Sequence, residues 1–523
     1  MSLLDIQNLS LSIHDTPILK DVSLQVAPGE VVAITGESGS GKSMTALAIM
    51  QLLPEGSKTT GSVDFDGEDV TRSSETRLCA LRGNTIGMVF QEPMTALNPV
   101  QTIGAQVSET VQLHRPDLDA ETRTQEVLNR VGLSDLSPHR YAHELSGGQR
   151  QRVVIAMAIG CGPKLLIADE PTTALDVTTQ AQILDLLVQL AREDGMGLLM
   201  ITHDLAVVAN MAHRIVVMQN GAVVEAGDTP ALLEAPKHAY TKALFAASAH
   251  QAILPDQTAQ QSLLRVRGVV RDYTRPRNRL FAAPGTHRAV DDVSFDIPRG
   301  GRVGLVGESG CGKSTLTRAI LGLEPVQAGE ILLDDQPVFA RGAPNLAVRR
   351  KMQVVFQDPY GSFNPRHRVA RLITEPFHLL ETPPTDRAER IAEALSAVGL
   401  SPDDAQKYPH QFSGGQRQRL AIARALIIRP ELIVFDEAVS ALDVSVRAQI
   451  LDLIADLCGQ YDLTYLFISH DLSVVRGITD QVMVMQNGKI VEQGDTSDVF
   501  DAPKHPYTRS LLEAAPKLPR TGT

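Results

Sequence analysis

Gly36-Glu37-Ser38-Gly39-Ser40-Gly41-Lys42-Ser43 is the stretch from which the rest of the chain can be read. It fits the pattern G-x-x-x-x-G-K-[ST]. The apolar run Val31-Val32-Ala33-Ile34 precedes it and reads as a buried parallel strand. Met44 to Leu53 follows and reads as a helix that stops before Pro54. That strand–loop–helix order is what a phosphate cradle needs. The glycines let backbone N–H groups turn inward toward phosphate oxygens. The helix start adds partial positive charge. Lys42 can reach β- and γ-phosphates, and the Ser43 hydroxyl can ligate Mg²⁺. Taken alone, the loop indicates nucleoside triphosphate binding and nothing narrower.

The pattern occurs twice. Gly307-Glu308-Ser309-Gly310-Cys311-Gly312-Lys313-Ser314 follows the strand-like Val303 to Val306. Four further motifs repeat in the same order. Gln91 in Val89-Phe90-Gln91 returns as Gln357 in Val355-Phe356-Gln357, and Ser146-Gly147-Gly148-Gln149 as Ser413-Gly414-Gly415-Gln416. Asp169-Glu170 returns as Asp436-Glu437, and His203-Asp204 as His470-Asp471. The loops are 271 residues apart (307 − 36) and the acidic pairs 267 (436 − 169), so the offset is nearly constant. This is a tandem duplication, not a solenoid of short repeats. Each half also closes alike, on Ala235-Pro236-Lys237-His238-Ala239-Tyr240-Thr241 and Ala502-Pro503-Lys504-His505-Pro506-Tyr507-Thr508. The expected domains are residues 1–250 and 263–516, joined by a polar linker at 251–262 and followed by a tail at 517–523.

A chain of 523 residues is too long for one core. Its net charge of −12 and pI near 5.6 argue against a nucleic-acid partner, which would require a basic face. Cys79, Cys161, Cys311 and Cys458 show no paired spacing, so neither a zinc site nor a disulfide framework is signalled. No targeting segment is expected at the start, and no run of about 18 apolar residues occurs. Leu165 to Ala168 and Leu198 to Ile201 are continuous apolar runs, the mark of central parallel strands covered on both faces. Helical stretches such as Gln180 to Arg192 lie between them. The expected fold is α/β, two tandem phosphate-loop domains with ligands at the carboxyl ends of the strands. Residues between Gln91 and Ser146 read as an inserted helical subdomain.

Asp169 and Asp436 end apolar strands, where a carboxylate can hold Mg²⁺ through water. Glu170 and Glu437 follow directly and can orient or deprotonate the attacking water. An isolated Asp-Glu pair would read as a solvated strand end; its recurrence downstream of a phosphate loop favours the functional reading. His203 and His470 each end a strand and are expected to hydrogen-bond the γ-phosphate and its water. Gln91 and Gln357 are expected to touch Mg²⁺ or that water. The two glycines of Ser-Gly-Gly-Gln, set just before a helix expected near Arg150, make a second anion-binding helix start. Each half already has one such site, so the second makes sense if it serves the nucleotide of the other half.

Phosphate loop, glutamine, Leu-Ser-Gly-Gly-Gln, Asp-Glu and histidine in this order resemble the ATP-binding cassettes, over nearly the whole chain and twice. The resemblance implies two cassettes that close head to tail on two ATP molecules. One site would join Gly36–Ser43, Gln91, Asp169, Glu170 and His203 to Ser413–Gln416. The other would join Gly307–Ser314, Gln357, Asp436, Glu437 and His470 to Ser146–Gln149. The loops Thr173–Asp176 and Ser440–Asp443 look like segments that cross between halves. Residues 91–99 and 357–365 and the Pro-Lys-His closing segments look like dipeptide and oligopeptide importer ATPases, in the fused, microcin C-type form. That implies two membrane permease subunits, a periplasmic solute-binding protein, a substrate not bound directly, and a place on the cytoplasmic face of the inner membrane. An exporter ATPase and a soluble twin-cassette factor acting on ribosomes or DNA are the alternatives. The short linker and the acidic charge disfavour the second.

Four features depart from or extend the family pattern. Ile13-His14 stand where the family stacks an aromatic ring on adenine; in the second half Tyr273 is the candidate. Pro171, after the first Asp-Glu, becomes Ala438 in the second copy. Cys311 lies at a helix start, where a thiol pKa tends to fall, so it is expected to react with a maleimide. The six arginines from Arg265 to Arg279 read as a solvated strand and loop.

Overall fold

The structure, a computed structural model, describes residues 2–91, 93–173, 175–255, 261–274, 285–340, 342–358 and 361–517. Glu92, Ala174, Pro359, Tyr360, Arg275, Arg277, Arg279, linker residues 256–260 and tail residues 518–523 lie outside the described residues. The chain divides into two compact units, with the change between Ala249 and His250.

In the first unit the elements run β1 (Leu4–Ile13), β2 (Thr16–Val26), β3 (Val31–Thr35), α1 (Lys42–Ile49), β4 (Ser57–Phe65), β5 (Glu68–Asp69), α2 (Glu75–Leu81), β6 (Ile86–Val89), α3 (Pro93–Ala96), α4 (Ile103–His114), α5 (Ala120–Arg130), α6 (Gly147–Ile159), β7 (Leu165–Asp169), α7 (Val177–Asp194), β8 (Gly197–Ile201), α8 (Leu205–Met211), β9 (Arg214–Gln219), β10 (Ala222–Asp228), α9 (Thr229–Glu234) and α10 (Ala239–Ser248). Two sheets form. An antiparallel one has the order β2-β1-β4-β5, and a mostly parallel one has the order β10-β9-β3-β8-β7-β6.

The strand β3 shows why its sequence is apolar without alternation. Val31 and Ala33 enter the core shared with α6 and α7. Val32 and Ile34 enter the opposite core, with α1 and the antiparallel sheet. Both faces are covered, so no polar position remains. Because β3, β8 and β7 are neighbours, their carboxyl ends carry the Gly36 loop, Thr202-His203 and Asp169-Glu170 to one sheet edge. The helix after the loop ends at Ile49, before the expected Leu53. Gln51 enters the left-handed region (φ 50°) and the Leu52 N–H returns to the Leu47 carbonyl, which closes the helix. Between Gln91 and Ser146 the described residues contain helices α3, α4 and α5 and a short turn, Ala142–Glu144.

The second unit repeats this plan. Its elements begin β11 (Ser262–Thr274), β12 (Thr286–Pro298), β13 (Arg302–Val306), α11 (Lys313–Ile320) and β14 (Ala328–Leu333). β11 pairs antiparallel with β12 and β14. β13 lies between the strands Thr464–Ile468 and Gln481–Gln486, and Leu432–Asp436 and Met352–Val355 follow beyond the former. In the run after Leu263, Arg267 pairs with Asp296 (2.7 Å), Arg271 with Glu324 (3.2 Å), and Arg265 with Asp335. Among the described residues these arginines are therefore engaged within their own unit.

Candidate functional site

The first loop leaves β3 at Gly36, where φ is 147° and an added Cβ would sit 2.2 Å from the Met218 carbonyl oxygen. Only glycine fits that combination. Lys42, the first residue of α1, is buried, and its Nζ donates to the carbonyls of Gly36 (2.7 Å) and Glu37 (2.8 Å). Burial lowers its pKa, opposed by the nearby carboxylates of Glu170 and Asp169. The Ser43 hydroxyl donates to Asp169 Oδ1 at 3.2 Å. In the second unit, Lys313 Nζ donates to Gly307 O (2.6 Å) and Glu308 O (2.9 Å) in the same way. Ser314 is exposed on the first turn of α11.

Cys311 does not behave as expected from its position before a helix. Its side chain is buried in the loop, and Lys313 Nζ lies 3.9 Å from its sulfur. Burial pushes the thiol pKa up, and the Lys313 charge only partly offsets this. Desolvation outweighs the helix start here, so an activated, maleimide-reactive thiol is not what this site builds.

Glu170 and Glu437 share an uncommon backbone. Their φ angles are 46° and 51°, and their N–H groups donate to Ile201 O and Ile468 O, each at 2.9 Å. A non-glycine residue in this region is costly and is kept by its surroundings. The turn aims the Glu170 carboxylate at three donors. Gln91 Nε2 is 2.8 Å away, Thr173 Oγ1 3.0 Å and His203 Nδ1 3.1 Å. Burial raises the Glu170 pKa, but His203, Thr173 and Lys42 outweigh it and hold the carboxyl down to about 2. Asp169 goes the other way. Burial and the neighbouring Glu170 raise it, and the Ser43 hydroxyl offsets only part. A buried carboxylate beside a serine hydroxyl is an all-oxygen donor pair that fits Mg²⁺.

The second unit has the same carboxylates, with fewer donors among the described residues. His470 Nδ1 lies 3.4 Å from Glu437 Oε1, while Ser440 Oγ donates to the Glu437 backbone carbonyl (2.9 Å) and not to the carboxylate. Burial raises the Glu437 pKa, but the His470 hydrogen bond and the Lys313 charge leave it lowered; Asp436 is raised by burial and by Glu437. Gln357 is exposed two residues beyond its strand. In each unit a lysine, two carboxylates and a histidine thus meet at one strand edge. A carboxylate held ionised against a histidine can accept a proton from water. Thr173 was not legible as a partner of Glu170, because the loop carrying it reads only as a connection.

The Ser-Gly-Gly-Gln helices begin earlier than the sequence suggests. α6 starts at Gly147, not near Arg150, with Ser146 as its cap. Gln149 N–H donates to Ser146 Oγ (3.3 Å) and Ser146 N–H to Gln149 Oε1 (3.0 Å). That reciprocal cap brings both glycines into the first turn. Gly148 must lack a side chain, because an added Cβ would lie 2.4 Å from Thr179 Cγ2 of α7. Ser413 and Gln416 form the same cap around Gly414 and Gly415.

The wall beside each phosphate-loop helix differs between the units. Tyr273 on β11 donates its hydroxyl to Glu324, and the Arg271 guanidinium sits 4.8 Å from its ring centroid. Its hydroxyl is also 3.5 Å from Thr315 Oγ1, and Arg318 reaches Glu324 at 3.4 Å. Gly61 crowds Asn8 as Gly329 crowds Gly268, which fixes the register between the copies. Equal steps along each strand put Ile13, not His14, where Tyr273 stands. The matching positions of the first unit are Leu11, Ile13, Met44, Leu47 and Leu53, all apolar. His14 occupies the turn after β1 with φ 45°, exposed, its ring over Gly56.

Residues 19–173 and 290–440 match the family described as ABC transporter, and residues 224–266 and 491–523 match the oligopeptide/dipeptide transporter C-terminal region. The chain is 45% identical over 527 residues to the peptidoglycan transport ATP-binding protein YejF of Agrobacterium fabrum, covering 98% of this chain and 96% of that one. It is 42% identical over 560 residues to the glutathione import ATP-binding protein GsiA of Salmonella choleraesuis, covering 98% and 89%. The GsiA of Shigella dysenteriae serotype 1 is 43% identical over 561 residues, covering 98% and 90%. Among the described residues no helix is long and apolar enough to cross a membrane. The chain belongs to the ABC transporter ATP-binding proteins of the oligopeptide/dipeptide importer type, and is an ATP-binding ATPase of two tandem cassettes.

Proposed function

We propose that this ATPase couples ATP binding and hydrolysis at two composite sites to the uptake of peptides or peptide-like compounds through two separate membrane permease subunits. It would lie peripherally on the cytoplasmic face of the cell membrane, with a periplasmic solute-binding protein delivering the substrate. The observation that carries the import reading is the closing segment, which matches the oligopeptide/dipeptide transporter region after each cassette. The roles by which the relatives are named, peptidoglycan transport and glutathione import, agree with peptide-like cargo.

Within each cassette the residues divide the chemistry. The Gly36–Ser43 and Gly307–Ser314 loops, with Lys42 and Lys313, hold the triphosphate. Ser43, Asp169 and Gln91, and Ser314, Asp436 and Gln357, would hold Mg²⁺, which when bound neutralises phosphate charge. Glu170 and Glu437 accept the proton of the attacking water. His203 and His470 keep those carboxylates oriented and contact the γ-phosphate. Tyr273 stacks on the base in the second site, whereas the apolar wall at Ile13 offers the first site no ring. Ser413–Gln416 would complete the first site and Ser146–Gln149 the second, so that hydrolysis follows closure of the two halves. Burial of Asp169 and its place beside the Ser43 hydroxyl support the metal assignment.

Reconstitution with its permease subunits in proteoliposomes tests this reading. ATP-dependent accumulation of a labelled di- or oligopeptide, abolished by Glu170→Gln with Glu437→Gln, is expected. ATP-driven movement of cargo away from the side bearing the ATPase would establish export and overturn it.

A further inference from the structure

A tyrosine from each closing segment reaches back to its own phosphate loop. Tyr240, in the first turn of α10, accepts the Glu37 N–H on its hydroxyl oxygen at 3.0 Å. Tyr507, in the helix Pro506–Ala514, accepts the Glu308 N–H at 3.0 Å. The peptide plane concerned is the same in both units. The Glu37 N–H belongs to the plane that carries the Gly36 carbonyl, and that carbonyl accepts Lys42 Nζ at 2.7 Å. The Glu308 N–H shares its plane with the Gly307 carbonyl, which accepts Lys313 Nζ at 2.6 Å. A peptide plane is rigid. The tyrosine holds one edge, and the lysine that must meet the phosphates is anchored to the other.

The segment that presents the tyrosine is itself fixed in the same way in both units. Glu225 on β10 accepts the N–H groups of Lys237 (2.7 Å) and His238 (3.1 Å), and His238 Nδ1 accepts the Tyr240 N–H (3.2 Å). Glu492 accepts Lys504 N–H (2.7 Å) and His505 N–H (3.1 Å), and His505 Nδ1 accepts Tyr507 N–H (3.2 Å). Glutamate, histidine and tyrosine therefore form a fixed arm from the far end of each sheet to the loop. A single such contact would count as ordinary packing. Its repetition, bond for bond, some 200 residues from the loop in sequence gives it a defined task.

We infer that Tyr240 and Tyr507 are positioning residues that orient the Gly36–Glu37 and Gly307–Glu308 peptide planes, and through them Lys42 and Lys313, so that each closing segment sets the nucleotide affinity of its own cassette. The inference rests on the ATPase reading but is separable from it. Tyr240→Phe and Tyr507→Phe keep the ring and remove the hydroxyl that accepts the loop N–H. One neutral hydrogen bond is worth about 1 kcal/mol net, so in the full-length chain each change should raise the ATP Kd of its site about fivefold. The ATP KM should rise with it while kcat stays near wild type. In the nucleotide-free protein, amide hydrogen exchange at Glu37 or Glu308 should accelerate in the matching variant only. Exchange unchanged at both amides, with ATP affinity equal to wild type, would overturn the inference. Failure of the wild-type chain to bind ATP would instead strike the functional reading, and the exchange measurement would still decide the role of the tyrosines.

Discussion

Replacing Tyr273 by alanine probes the proposed stacking role of the wall beside the second phosphate-loop helix. Stacking of a base on an aromatic ring is worth about 1–3 kcal/mol by alanine substitution. One face of the Tyr273 ring already carries the Arg271 guanidinium, at 4.8 Å from the centroid, so a base can use only the other. The lower part of that range applies, about 1–2 kcal/mol, or about 5- to 30-fold in ATP Kd. Tyr273→Phe should cost less than about fivefold, because Glu324 keeps its contacts to Arg271 and Arg318 after the hydroxyl is lost. The sites can be read separately by calorimetry. A Lys42→Ala background leaves the second site to titrate, and Lys313→Ala leaves the first. Tyr273→Ala should weaken ATP in the first background and leave the second unchanged. An unaltered Kd in the Lys42→Ala background would refute the stacking role. Equal losses in both backgrounds would show that the ring acts on the fold instead.

Three other outcomes are expected. Brief maleimide treatment of the native chain should label Cys79, which is exposed, and leave the buried Cys161, Cys311 and Cys458 until denaturant is added; burial pushes Cys458 up to about 12 and raises the other two. Gly36→Ala puts a Cβ 2.2 Å from a backbone oxygen at φ 147°, and should abolish ATP binding at the first site and destabilise its unit by roughly 3 kcal/mol, as read by calorimetry and urea melts. The third concerns acid. Glu170 titrates near 4.5 when unfolded and at about 2 when folded, so its contribution to stability is complete above 4.5 and is lost as pH falls through about 2. Glu170→Gln cannot titrate, so the urea midpoint difference from wild type should be constant above pH 4.5 and change progressively in wild type's disfavour below it.

Much of the site was legible because its parts are short-range patterns set in a repeating strand–loop–helix order. Val31 to Ile34, Leu165 to Ala168 and Leu198 to Ile201 are apolar throughout, as strands covered on both faces require. Where the sequence misled, a long-range or backbone effect decided. The Cys311 thiol is governed by what packs over it, which a helix-start argument omits. The left-handed turns at Glu170 and Glu437 carry no glycine to announce them. Ile13 and Tyr273 could be matched only once the crowding of Gly61 on Asn8 and of Gly329 on Gly268, where each strand's register shifts, aligned the two copies. The hold of Tyr240 on Glu37 spans two distant segments, and local propensity contains nothing of it.

The most direct test of the central claim, that Glu170 and Glu437 serve two ATP-hydrolysing cassettes, is single-turnover ATP cleavage by the chain carrying Glu170→Gln and Glu437→Gln together. A general base contributes about 10²- to 10⁴-fold. Cleavage should therefore fall at least about a hundredfold while ATP still binds, and each single variant should show an intermediate loss. Cleavage at the wild-type rate by the double variant would contradict the assignment of both carboxylates.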